Sequence, residues 1–182
     1  MLNGGVFFEF HDYYALPFDI WRTATAVWDP EQDRSGKPIL HFSLNFTTNS
    51  DTKMRMLGFA FCIKSVEYRV VMRSVTRRYF EDGRIVFISK NLIQPVIKGI
   101  SFAFLATRRM ILKSGDWSAL GPTTVMQTHR DAAFYGNLTS MDRIENPIVK
   151  AGVEDWKNSL LLYNNKVEDQ LIHAVNKAAT PM

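Results

Sequence analysis

The stretch Leu40-His41-Phe42-Ser43-Leu44-Asn45-Phe46-Thr47 sets a large apolar residue at every second position, with a smaller or polar one between. A β-strand turns successive side chains to opposite faces, so a period of two marks a strand with one apolar and one polar face. The pattern resumes beyond a turn at Thr48 to Lys53. Met54 to Ile63 carries Leu57, Phe59, Phe61 and Ile63 on one side and Gly58, Ala60 and Cys62 on the other. Val66 to Arg77 sets Tyr68, Val70 and Met72 opposite Arg69, Val71, Arg73 and Val75. Arg84 to Asn91 comes directly after Glu81-Asp82-Gly83, and Asp-Gly between two β-rich runs is a strong hairpin signal. Four successive strands joined by short turns make an antiparallel meander.

Upstream of the meander, Gly4 to Phe10 predicts a short strand, and Leu16-Pro17-Phe18-Asp19 stops it and opens a helix. Ile20, Ala24, Val27, Trp21 and Trp28 give that helix an apolar face, and Glu31 to Pro38 reads as a surface loop. Downstream, Ile100 to Thr107 and Thr123 to His129 are further apolar runs, the second of them a strand. Asp131 to Glu145 reads as a loop or short helix. Asn146-Pro147 then supplies an N-cap and a proline at the first helical position. Behind it Val153, Trp156, Leu160, Tyr163, Val167, Leu171 and Val175 recur at steps of three and four. They predict an amphipathic helix of about 25 to 30 residues, ~40 Å long. No repeat or change of composition divides the chain, so residues 1–182 are expected to form one α+β domain.

Composition bounds the function. The 182 residues are 46% apolar and 22% charged, which suits one globular domain able to bury about 70% of its unfolded surface without disulfides or metals. A net charge of +4 with scattered basic residues argues against a nucleic-acid partner. The doublets Arg77-Arg78 and Arg108-Arg109 read as solvated surface. A single cysteine, Cys62, excludes an internal disulfide and fits a reducing, cytoplasmic setting, as does the lack of a signal-peptide pattern at Met1 to Phe10. No uncharged apolar run approaches the ~20 residues of a membrane-spanning helix. His11, His41, His129 and His173 are far apart, so a metal site would have to be assembled by tertiary structure, and none is expected. No GxSxG, GxGxxG or Walker pattern is present, so neither an enzyme activity nor a cofactor is expected.

The unusual number is aromatic content, with thirteen Phe, six Tyr and four Trp. Such residues thicken a core or line a cavity. Phe42, Leu44 and Phe46 form one stripe, and Trp156, Leu160 and Tyr163 another on the last helix; each is core packing or cavity lining. Arg69, Arg73 and Arg77 share one face of the third meander strand. Facing outward they are ordinary surface arginines. Facing inward, Arg73 would need a partner and could anchor a ligand's polar head, a role also open to His41. The candidate ligand-binding set is therefore Phe42, Leu44, Phe46, Tyr68, Arg73, Trp156, Leu160 and Tyr163.

Several strings carry a resemblance. Phe8-Glu9-Phe10, Leu16-Pro17-Phe18-Asp19, Ala26-Val27-Trp28, Arg73 to Tyr79, Glu81 to Val86 and the closing helix resemble the START-like domains of the oomycete mating-specific protein family. The resemblance is scattered from about Gly5 to Ala178. It implies a helix-grip fold, an antiparallel sheet wrapped around a long C-terminal helix. It also implies non-enzymatic binding or transfer of a lipid, sterol or other hydrophobic ligand. A complete START domain has a helix and two strands before the strand placed at Gly4 to Phe10, so the resemblance implies either a shortened member or a sequence truncated at its N-terminus, with an open sheet edge in both cases. The rival expectation is a protein–protein interaction module with a solid core.

Overall fold

The computed structural model describes residues 6–29, 39–63, 66–96, 102–119, 121–136 and 162–177. Strand β1 (Val6–Leu16) leads into helix α1 (Ile20–Trp28), and six strands follow. These are β2 (Ile39–Asn49), β3 (Thr52–Ile63), β4 (Val66–Glu81), β5 (Arg84–Pro95), β6 (Phe102–Ser114) and β7 (Thr124–Gly136). Helix α2 covers residues 162–177. All seven strands form one curved antiparallel sheet in the order β1-β7-β6-β5-β4-β3-β2. The chain thus starts at one edge, crosses to the other through α1, and meanders back until β7 pairs with β1.

The predicted meander is present, with longer strands. Residues Arg108 to Ser114 extend β6, and Asp131 to Gly136 extend β7 where a loop or short helix was expected. Glu31 to Pro38, and the first half of the expected final helix with Asn146-Pro147, lie outside the described residues. The β4–β5 turn is the expected Asp82-Gly83, with Gly83 at a φ of 69° that favours glycine.

Asp19 starts α1 by accepting hydrogen bonds from the backbone amides of Trp21 and Arg22, each 3.0 Å long. The buried Thr23 hydroxyl lies 3.3 Å from that of Thr124, which donates to the Phe18 carbonyl at 2.7 Å, so α1 is fixed to the start of β7. Ala24, Ala26, Val27 and Trp28 pack inward on Ile85, Phe87, Met110, Leu112 and Met126. Val167 and Leu171 of α2 join the same cluster, with Tyr163 packed against it. Trp21, expected on this face, is 63% exposed and stacks on Phe80 instead.

At the C-terminal end of α1, Lys53 and Arg78 lie over the Trp28 ring, 4.4 and 4.5 Å from its centroid. Lys53 also donates to the Trp28 carbonyl at 3.1 Å, placing a cation at the negative end of the helix dipole. Arg78 is held by Asp51 at 3.0 Å, and its guanidinium keeps the Asp51 carboxyl below the ordinary carboxylate range despite some desolvation. A carboxylate with a lowered folded pKa stabilises the fold above its unfolded pKa, and that contribution is lost as pH falls through the folded value. Asp51→Asn is therefore expected to lower the melting temperature at neutral pH. The difference from wild type should be smaller in acid, well below the ordinary aspartate value of about 3.9, than at neutral pH, as followed by circular dichroism. An equal difference at both pH values would rule out the carboxylate as its source.

Candidate functional site

The face of the sheet covered by α1 and α2 is the inner face, and register fixes which residues belong to it. One row across β7, β6, β5 and β4 reads Met126, Leu112, Ile85 and Phe80, and the next reads Thr128, Met110, Phe87 and Arg78. Two polar rows follow. The first runs Arg130, Arg108, Ser89, Thr76 and Lys53, and the second runs Ala132, Ala106, Asn91, Ser74 and Arg55. Beyond them the face turns apolar again with Phe134, Phe104, Ile93, Met72 and Leu57. A polar band therefore lies between two apolar regions on the inner side of the sheet.

The band is partly satisfied internally. Thr76 and the buried Ser89 share a hydroxyl–hydroxyl bond of 2.9 Å, and Arg108 Nη2 donates to Ser89 Oγ at 3.4 Å. The Arg108 guanidinium lies 4.7 Å from the centroid of the Tyr163 ring on α2. Neither Arg108 nor Arg55 has a carboxylate partner among the described residues, and Arg55 Nε is buried with no hydrogen-bond partner at all. Toward β1, Asn164 of α2 is 2% exposed and donates to Asp12 Oδ2 at 2.6 Å, yet its own Oδ1 has no partner. The hydroxyl of Thr128, 3% exposed, has none either. Buried polar atoms in folded proteins are almost always paired, so each of these exceptions calls for a partner, such as a water or a ligand.

Helix α2 is secured around this band. Tyr14 donates to Glu168 Oε2, Tyr163 to the Val27 carbonyl at 3.3 Å, and Gln170 to the Asp29 carbonyl at 3.0 Å. The Glu168 carboxylate, by accepting from the Tyr14 hydroxyl, raises the pKa of that phenol, with burial adding to the effect.

Of the residues picked from sequence, Tyr163 alone is described on the inner side. Trp156 and Leu160 lie outside the described residues, and Tyr68 is placed only as the β4 partner of Phe61. Phe42, Leu44, Phe46 and Arg73 belong to the opposite, outer face. Phe42, Leu44 and Phe46 are 38%, 49% and 55% exposed, and Phe46 joins Met54, Val75, Leu92 and Leu105 along a shallow apolar groove of about 340 Å³. The β2–β3 register shifts between Leu40 and Phe42, so the apolar alternation that begins at Leu40 does not follow one face. Ser43 and Asn45 instead pair with Leu57 and Arg55 on the inner side. Arg73 bonds Gln94 on the outer face, Arg69 pairs there with Glu67, and Arg77 lies over Tyr79. The two doublets straddle the sheet, with Arg78 and Arg108 turned inward and Arg77 and Arg109 outward.

No protein-family model and no curated protein matches the sequence. Solved structures do. The ZhuI aromatase/cyclase from Streptomyces sp. R1128 superposes with a TM-score of 0.56 at 12% identity, covering 96% of this chain and 99% of that one. The fold is a helix grip. The di-domain aromatase/cyclase StfQ of the steffimycin biosynthetic pathway matches with a TM-score of 0.50 at 10% identity, and 94% of this chain spans about half of it, 52%. A conserved protein from Geobacillus kaustophilus matches with a TM-score of 0.50 at 8% identity, over 92% of this chain and 97% of that one. At these identities the likeness is one of fold. It corrects one expectation, that a domain of this architecture performs no chemistry, because two of these neighbours are enzymes by name. The kinship to oomycete mating-specific proteins remains a resemblance of strings. No helix among the described residues is long and apolar enough to cross a membrane.

The unpaired Thr128 hydroxyl, in the row beside the polar band, can be tested directly. Thr128→Val keeps the shape and removes the orphaned group, so it is expected to raise stability in urea unfolding by about 1 kcal/mol. A loss of stability would mean that the hydroxyl is already satisfied.

Proposed function

We propose that the inner face binds a small, largely apolar molecule bearing an acidic or enolisable oxygen, held against the polar band that carries Arg108 and Arg55. The observation that carries this reading is the pair of inward guanidiniums without a carboxylate partner among the described residues. A cation held away from water costs several kcal/mol unless an opposing charge meets it. The guanidinium fork matches a carboxylate or enolate oxygen. The apolar body would rest on the row of Phe134, Phe104, Ile93, Met72 and Leu57, stabilised by roughly 25 cal/mol per Å² of apolar surface removed from water. A guanidinium fixed on a rigid sheet also stabilises negative charge as it grows on a carbonyl oxygen, which enolate-forming condensation and dehydration steps require. The names of ZhuI and StfQ, both aromatase/cyclases, support an enzymatic reading of the fold without bearing on these residues.

Fatty acids and other acidic lipids share this chemistry with aromatic ketones of the polyketide kind, and a ligand panel separates them. A cytoplasmic setting without a nucleic-acid partner belongs to the same reading, supported by the single cysteine and the mild charge. The strings that resemble the oomycete mating-specific family, Arg73 to Tyr79 and Glu81 to Val86, fall on the β4–β5 hairpin and contribute Thr76 to the band. The outer groove beside Phe46 favours a second reading, a sheet face that docks a protein partner.

Native mass spectrometry after organic extraction, followed by exposure to acidic lipids, sterols and aromatic ketones, tests both. One acidic or ketonic ligand per chain is expected, with Arg108→Met weakening its uptake at least about tenfold. Leu44→Trp, on the outer face, should leave uptake unchanged. Absence of any bound species, or loss of uptake with Leu44→Trp alone, would overturn the inner-face reading.

A further inference from the structure

The outer face carries a second cluster that inner-face binding does not use. Glu9 and His11 are two residues apart on β1 and share a face, and the β1–β7 register sets His129 directly across from His11. The two imidazoles stack with centroids 4.5 Å apart. Glu9 Oε1 lies 2.8 Å from His129 Nε2 and 3.4 Å from His11 Nε2, and all three atoms fall within 4.8 Å of one another. Donors bound tetrahedrally at 2.0–2.2 Å from one metal ion are separated by about 3.3–3.6 Å. The cluster therefore needs only a small adjustment of exposed side chains to close on a shared ion.

We propose that Glu9, His11 and His129 form a binding site for a divalent transition-metal ion of the zinc class on the outer face of the sheet. Two imidazoles and one carboxylate make a borderline donor set that suits Zn²⁺ and its neighbours rather than Ca²⁺ or Mg²⁺. Two neighbouring strands hold the donors in register, as a short helical motif does elsewhere. Asp131, directly across from Glu9 on the same face, is the next carboxylate available as a fourth ligand. Arg109 sits across from His129 on β6 and opposes any cation there, which limits affinity. With three protein donors, an open coordination position would face the shallow groove over Tyr13, Ile111 and Gln127, where a water or an anionic group can bind.

Calorimetric titration of the full chain with Zn²⁺ at neutral pH tests the site. One saturable event per chain is expected, weakened at least about tenfold by His11→Ala and by His129→Ala. Glu9→Gln should weaken it as well, while His173→Ala, on α2, should leave it unchanged. Circular dichroism melts confirm that each variant folds. Lack of saturation up to about 1 mM Zn²⁺ would overturn the proposal, as would affinity retained in the His11→Ala/His129→Ala double variant.

Discussion

A side chain on a β-strand faces one of two ways, and in this sheet one way leads under two helices and the other to water. Every feature of the molecule follows from how its residues are sorted by that constraint. Ile85, Phe87, Met110, Leu112 and Met126 point inward at one end and give α1 and α2 an apolar floor. The same inward face then becomes polar, through Arg108, Ser89, Thr76, Ser74 and Arg55, before it returns to Phe104, Phe134 and Met72. A sheet that served only as a scaffold would have no reason to turn guanidiniums toward its helices, because burying them costs free energy. The cost is explained if something of opposite polarity meets them there.

The helices make that arrangement possible. Asp19 and the Thr23–Thr124 contact fix where α1 begins, and Lys53 with Arg78 closes around Trp28 where it ends. Through Tyr163, Glu168 and Gln170, α2 is hydrogen-bonded to α1 and β1. The inner face is thus roofed from its packed end, and α2 reaches the polar band with Tyr163 and Asn164.

Much of the fold was legible in the sequence because the meander obeys simple alternation, the Asp82-Gly83 turn is unmistakable, and Asp19 caps α1 as its position suggests. The sheet was harder to read at β6 and β7. Arg108 and Arg130 face inward there and break the apolar alternation, so the polar band hid the strands that carry it. The outward placement of Phe42, Leu44 and Phe46 has a related reason. Phe42, Leu44 and Phe46 are the more apolar face of β2, yet the shift after Leu40 and the pairing of Asn45 with Arg55 turn that face to water. Nothing local signals such an inversion. Arg108 and Arg78, dismissed as surface doublets, needed only their parity against an inward neighbour to be found. The histidine pair on β1 and β7 could not be found from spacing at all, because it exists only once the first and last strands are paired.

The claim at the centre of this account is that ligand enters on the inner side of the sheet, against the polar band. Methionine methyl groups report on it directly, since Met72 and Met110 face inward while Met54 and Met56 face outward. In a spectrum of the methyl-labelled protein titrated with an acidic, largely apolar ligand, the Met72 and Met110 signals should shift in saturable fashion while Met54 and Met56 stay fixed. Saturable shifts confined to Met54 and Met56 would place the ligand on the outer groove and contradict the account.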